Sequence, residues 1–118
     1  MCGVGAIVRF TGSYDKSDSE MLSRILASHR YRGPDATMTT SPSPTVGLGH
    51  NRLSIIDLDP RANQPMADLS GRVHVSFNGE IFNFQELRSE LEKRGHVFRT
   101  TGDTEVLLYM YLVPVQGL

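Results

Sequence analysis

The sequence has 118 residues, 39% of them hydrophobic, with one cysteine, no tryptophan and a formal net charge of −1 from 12 basic and 13 acidic side chains. That length sets one domain, spanning 1–118, with a modest core, and charges of both signs are mixed without a basic block, which argues against nucleic acid or an anionic membrane as partner. No apolar run approaches the ~20 residues that span a bilayer, the first ten residues lack a secretory signal, and a lone cysteine allows no internal disulfide, so a cytoplasmic setting is expected.

In chain order, Gly3 to Phe10 reads as a buried strand carrying the β-branched Val4, Ile7 and Val8. Cys2 stands just before it, with Gly3 and Gly5 leaving bare backbone beside the thiol. If Met1 is removed, Cys2 becomes the N-terminus and its α-amine can act as base for its own thiol. The ordinary values, ~7.7–8.0 for an α-amine and ~8.5 for a thiol, suit that pairing. The plain alternative is a small buried apolar residue, the common fate of a free cysteine.

After a turn at Thr11-Gly12-Ser13, Ser17 or Asp18 can cap a helix whose apolar positions Met21, Leu22, Ile25 and Leu26 recur at helical spacing. Arg32-Gly33-Pro34-Asp35 breaks it near His29. Residues 36–45 read as a strand fragment running into an exposed loop, with Pro42 and Pro44 against regular structure. Val46 to Ile56 reads as a second core strand, Asp57 to Met66 as turn-rich, and Val73 to Phe77 as a third strand leading into Asn78-Gly79-Glu80. Asn83 can cap a helix bearing Phe84, Leu87 and Leu91, stopped by Gly95. Val97-Phe98 reads as a short strand, and Thr101-Gly102-Asp103-Thr104 opens a last helix ended by Pro114. Strands and helices alternate without a steady βαβ rhythm, so the expected class is α+β, with helices around 17–30 and 83–94 covering sheet faces.

Four turn stretches besides Cys2 carry reactive or charged groups: Arg32 to Asp35, Gly49 to Ser54, Asn78 to Glu80 and Gly102 to Glu105. Taken singly, each has an ordinary explanation as a helix stop, a solvated charge, a tight turn or a helix cap. Taken in order, the pieces MCGVGAI, RGPDA, GHNRLSIIDL, NQPM, FNGEIFNFQELR and TGDTEVLLYMY resemble the class II glutamine amidotransferase domain, an N-terminal nucleophile hydrolase, of glutamine-hydrolysing asparagine synthetases. The RGPD wording favours that branch over the phosphosugar and purine-pathway branches of the class.

The resemblance implies a partial four-layer αββα sandwich of antiparallel sheets and hydrolysis of L-glutamine to glutamate and ammonia through a Cys2 thioester. On the matching positions, Cys2 corresponds to the nucleophile, and Asn78 and Gly79 to the oxyanion donors. Arg52 corresponds to the group that holds the substrate carboxylate and Asp103 to the partner of its ammonium. Glu80 and the backbone of Leu53, Ser54, Ile55 and Ile56 would line the same glutamine pocket. No metal or cofactor is implied for this half-reaction; ATP and Mg belong to a synthetase unit that takes up the ammonia. In the family, His usually precedes the RGPD run; here Tyr31 does, with His29-Arg30 before it, which implies tuning of the site without loss of chemistry. The family's domain is longer, so C-terminal truncation is expected, with an unpaired sheet edge that leaves self-association open. An inactive relative that binds glutamine or a partner chain is the alternative.

Overall fold

The computed structural model describes residues 2–54 and 58–113. Met1, the Ile55–Ile56 end of the expected second strand, Asp57 at the start of the expected turn-rich stretch and the expected helix-ending Pro114 lie outside them. Among the described residues ten hydrogen-bonded elements follow one another, comprising strands β1 (Gly3–Val8), β2 (Ala36–Ser43), β3 (Val46–Arg52), β4 (Met66–Ala67) and β5 (His74–Val75), helices α1 (Lys16–Ser28), α2 (Phe84–Lys93) and α3 (Asp103–Leu112), and two short 3-10 turns at Arg30–Arg32 and Pro60–Ala62. β1, β3 and β2 form a three-stranded antiparallel sheet in that order, and β4 pairs with β5 as an antiparallel ribbon. The class is α+β.

α1 lies on one face of the sheet. Gly5 and Gly49 make room for it, since a Cβ at either would run into Leu22 or Leu26. Both leucines are buried, each contributing on the order of 1.5–3 kcal/mol by leaving water. The cap of α1 is Asp15, not Ser17 or Asp18. Asp15 accepts from the Asp18 N–H, and the Asp18 carboxylate accepts in return from the Asp15 N–H, each at 3.0 Å, so Asp18, the third residue of the helix, is the reciprocal partner of a capping box. Arg9 Nε, 2.8 Å from Asp18, also holds that carboxyl below its ordinary range.

Three further expectations are corrected. β2 extends through Pro42 to Ser43, because it is an edge strand and its register slips between Thr40 and Ser43, where an imino nitrogen breaks no ladder bond. The third strand is only His74–Val75; Ser76 and Phe77 are held by side chains instead. Val97-Phe98 forms no strand. There the Phe98 ring meets Tyr109 edge-on at 5.7 Å and carries the Arg88 guanidinium at 4.4 Å. α2 begins after Asn83, whose side chain makes no capping bond, and ends as expected at Gly95, where φ is +93° and the His96 N–H closes onto the Leu91 carbonyl. A second apolar cluster joins Leu91 of α2 to Val106 and Tyr109 of α3 and to Val113.

Gly33 is pressed against β3, and a Cβ there would meet the backbone of Asn51 and Arg52. Backbone cannot swing aside as a side-chain tip can. Gly33→Ala is therefore expected to lower unfolding free energy by about 1–3 kcal/mol, read as a fall in the urea midpoint; an unchanged midpoint would show that this contact is not close.

Candidate active site

Strand alternation divides β3 between two environments. Gly49 and Asn51 face α1, where the Asn51 amide is fully buried. Its Nδ2 donates to the Leu26 carbonyl at 2.7 Å and to His29 Nδ1 at 2.9 Å, while its Oδ1 accepts from Thr37 Oγ1 at 2.8 Å. The His29 ring also packs on Gly3, leaving no space there for a Cβ. Tyr31, which stands where the family has His, is 81% exposed, so the ring beside Cys2's neighbour is that of His29. His50 and Arg52 face the other way, toward the ribbon.

Cys2 is half-buried beside the end of β3. The Leu53 N–H donates to its Sγ at 3.2 Å, and the Sγ–H reaches the Leu53 carbonyl at 3.7 Å. The Arg32-Gly33-Pro34-Asp35 run braces this corner from outside. Arg32 Nε donates to the Cys2 carbonyl at 3.3 Å, the Asp35 N–H donates to the Arg52 carbonyl at 2.9 Å, and Asp35 Oδ2 accepts from the Ser54 N–H at 2.7 Å.

Arg52, 7% exposed, is anchored through Nη1, which donates to the Asp59 carbonyl at 2.9 Å and to Asn63 Oδ1 at 2.7 Å. Asp59 is held in turn by Arg61, whose hydrogen bonds lower its carboxyl to about 2. Asp103 opens α3 and is buried, with Oδ2 accepting from the Ile81 N–H at 3.0 Å. That bond ties the start of α3 to the segment just after Glu80.

These groups meet around one cavity of about 520 Å³ whose lining includes Cys2, Arg52, Leu53, Asn78, Gly79, Glu80 and Asp103, with Phe82 and Thr104. The volume lies within the range of small-molecule sites. Ser54 is not part of the lining; its N–H is spent on Asp35. Ile55 and Ile56 lie outside the described residues. Among the described residues no group of three or more His, Cys, Asp or Glu is placed to hold a metal ion, and no helix is long and apolar enough to cross a membrane.

Residues 1–114 match the model of the glutamine amidotransferase domain family. The chain belongs to that family. It is 38% identical over 112 residues to asparagine synthetase [glutamine-hydrolyzing] 1 of Bacillus subtilis, covering 94% of this chain and 17% of that protein. Asparagine synthetase [glutamine-hydrolyzing] 3 of the same organism is 35% identical over 114 residues, covering 95% of this chain and 18% of its own length. Amidase chry2 of Gibberella zeae is 35% identical over 120 residues, with 94% and 18% covered. The glutamine amidotransferase chain thus spans less than a fifth of these relatives.

Two buried side chains beside this cavity, His50 and Gln64, lie in the GHNRLSIIDL and NQPM stretches but were given no role by the sequence. His50, 1% exposed, lies 3.0 Å through Nε2 from the Phe77 carbonyl; a carbonyl can only accept, so Nε2 bears the proton. Nδ1 has no hydrogen-bond partner, a cost of about 1–3 kcal/mol for a buried polar atom. Gln64, 6% exposed, accepts from the Phe77 N–H at 2.6 Å and donates to Thr104 Oγ1 at 3.1 Å. Neither motif says what its His or Gln side chain bonds to. Only the tertiary structure does.

Burial pushes His50 below its ordinary 6.5, opposed by the Phe77 carbonyl and reinforced by the Arg52 charge. The unfolded chain therefore binds this proton more readily than the folded one, and stability rises with pH until the unfolded value is passed. Unfolding free energy measured from about pH 5 to 8 is expected to fall as pH drops below 6.5, and His50→Phe to flatten that slope. Parallel curves for both proteins would contradict the buried neutral imidazole.

Proposed function

We propose that the chain hydrolyses L-glutamine to glutamate and ammonia, with Cys2 as nucleophile. The observation that carries the reading is the cavity itself, which gathers Cys2, Arg52, Asn78, Gly79 and Asp103 from distant parts of the sequence. Its contents match the chemistry of a free amino acid. Arg52, already immobilised at one nitrogen, takes the α-carboxylate with a planar fork. Asp103 takes the α-ammonium. A protein side-chain amide offers neither charge and would leave both buried groups unpaired, which is costly.

The reaction then runs from the thiol. The Sγ lone pair attacks the side-chain amide carbon and the Cys2 α-amine, free once Met1 is removed, takes the thiol proton. The resulting oxyanion is met by the Asn78 side-chain amide and the Gly79 N–H, donors whose loss costs about 3–4 kcal/mol of barrier in comparable sites. Collapse breaks the C–N bond as the ammonium of Cys2 returns the proton to departing ammonia. Water adds to the thioester with the same amine as base, and glutamate leaves. Glu80 lies at the cavity wall beside the oxyanion donors. The ammonia passes to a synthetase unit, for asparagine synthesis by analogy with the Bacillus subtilis relatives; ATP and Mg chemistry is assigned to that unit, and the setting to the cytoplasm.

Incubation with a glutamine-mimicking electrophile followed by mass spectrometry is expected to show loss of Met1 and one adduct on Cys2. An unlabelled chain that still carries Met1 would sink the reading. Cys2→Ala is expected to abolish ammonia release while retaining glutamine binding. Asp103→Asn is expected to raise KM for glutamine by roughly 10–100-fold with little change in kcat, since a charge-assisted bond worth about 1.5–3 kcal/mol is lost equally from ground and transition states.

A further inference from the structure

We infer that His50 and Gln64 are positioning residues that hold the Asn78–Gly79 donors in place by gripping both backbone polar groups of Phe77, its N–H and its C=O, in the two peptide units that flank its Cα; the inference rests on the glutaminase reading above. The ribbon pairing of β5 stops at Val75, so the next residues reach the oxyanion position without a strand partner. Instead Ser76 Oγ donates to the Gly49 carbonyl at 3.0 Å, Gln64 Oε1 takes the Phe77 N–H at 2.6 Å, and His50 Nε2 donates to the Phe77 carbonyl at 3.0 Å. Both gripping side chains are buried, so water does not compete for these bonds. The Phe77 ring abuts Gly79, where a Cβ would lie 2.8 Å from its Cζ. The orientation of Phe77 thus sets the orientation of the donor that follows.

Gln64 adds a second connection. Its Nε2 donates to Thr104 Oγ1 at 3.1 Å, next to Asp103, whose Oδ2 accepts from the Ile81 N–H at 3.0 Å. One amide therefore bridges the wall that meets the oxyanion and the wall that meets the substrate ammonium. His50 touches only the first. If His50 served packing alone, an apolar ring would do better, because Nδ1 is buried without a partner. Its use is the Nε2 proton.

The two contacts separate by ligand. Glutamate γ-semialdehyde forms a hemithioacetal with a thiol, adding S–H across the aldehyde so that the oxygen sits where the tetrahedral intermediate's would. L-Glutamate shares the α-carboxylate and α-ammonium but forms no such adduct. In His50→Phe, kcat for ammonia release and affinity for the semialdehyde are expected to fall together by at least about 10-fold, a part of the 10²–10³-fold that outright loss of a donor causes. Affinity for L-glutamate should stay within about threefold, below the tenfold worth of a full hydrogen bond. His50→Gln, which can place an amide nitrogen near Nε2, should restore most of the loss. Gln64→Leu should weaken both ligands, since it frees both walls. Wild-type values in His50→Phe, an equal loss for semialdehyde and glutamate, or no recovery in His50→Gln would overturn the positioning role. A wild-type protein that releases no ammonia and binds no semialdehyde would instead overturn the glutaminase reading, and this inference with it.

Discussion

The β1–β3 ladder is the constraint on which the site depends. It aligns Gly3 with Asn51, and one step further along, the Leu53 N–H reaches the sulfur of Cys2 across 51 residues of sequence. The same alignment puts Arg52 next to the thiol on the face turned away from α1. Without this pairing Cys2 and Arg52 would be unrelated residues. Because side chains alternate strictly along a strand, a register slip of one residue would exchange Asn51 with Arg52 and put a guanidinium under α1. The glycines that receive Leu22 and Leu26 make that slip sterically expensive as well.

The far side of the cavity is assembled by buried polar contacts, with little regular secondary structure. Glu105 is fully buried and accepts from the N–H groups of Arg99 and Thr100 and from Thr100 Oγ1 at 2.7–3.1 Å. A carboxylate so solvated by backbone donors can be buried without the usual penalty for an unpaired charge. Arg88 completes the loop by donating to the Thr100 carbonyl at 2.6 Å while resting on the Phe98 ring. The outcome is a loop with a definite shape just before Asp103.

Hydrogen bonds also replace strand pairing at the Asn78–Gly79 segment. Short strands such as β4 and β5 bury little by themselves, so the path of the chain after Val75 is set by whichever side chains capture its peptide groups. His50 and Gln64 do so from two different elements. This explains why the third strand ends sooner than its alternating pattern suggests. It also explains how a turn with exposed Asn78 and Gly79 can still be held in one place.

Local pattern determined a good deal. The apolar spacing at Met21, Leu22, Ile25 and Leu26 marked α1, Gly95 marked the end of α2, and the ordered turn motifs marked the family, because helical period, left-handed backbone and motif order are properties of neighbouring residues. The sequence also singled out Cys2, Arg52, Asn78, Gly79, Glu80 and Asp103 as a group, though from resemblance and not from any spacing between them. What lay beyond it were features that depend on which partner a residue meets in the folded chain, near or far. Pro42 could stay in β2 because that strand is at an edge, and Phe98 left the strand state because Arg88 and Tyr109 offered a better contact. Asp15 became the cap because Asp18 could reciprocate. The roles of His50 and Gln64 needed tertiary structure altogether. A buried hydrogen bond is decided by the position of both of its ends, and for Phe77 those ends come from a strand and a turn that meet only after the chain has folded.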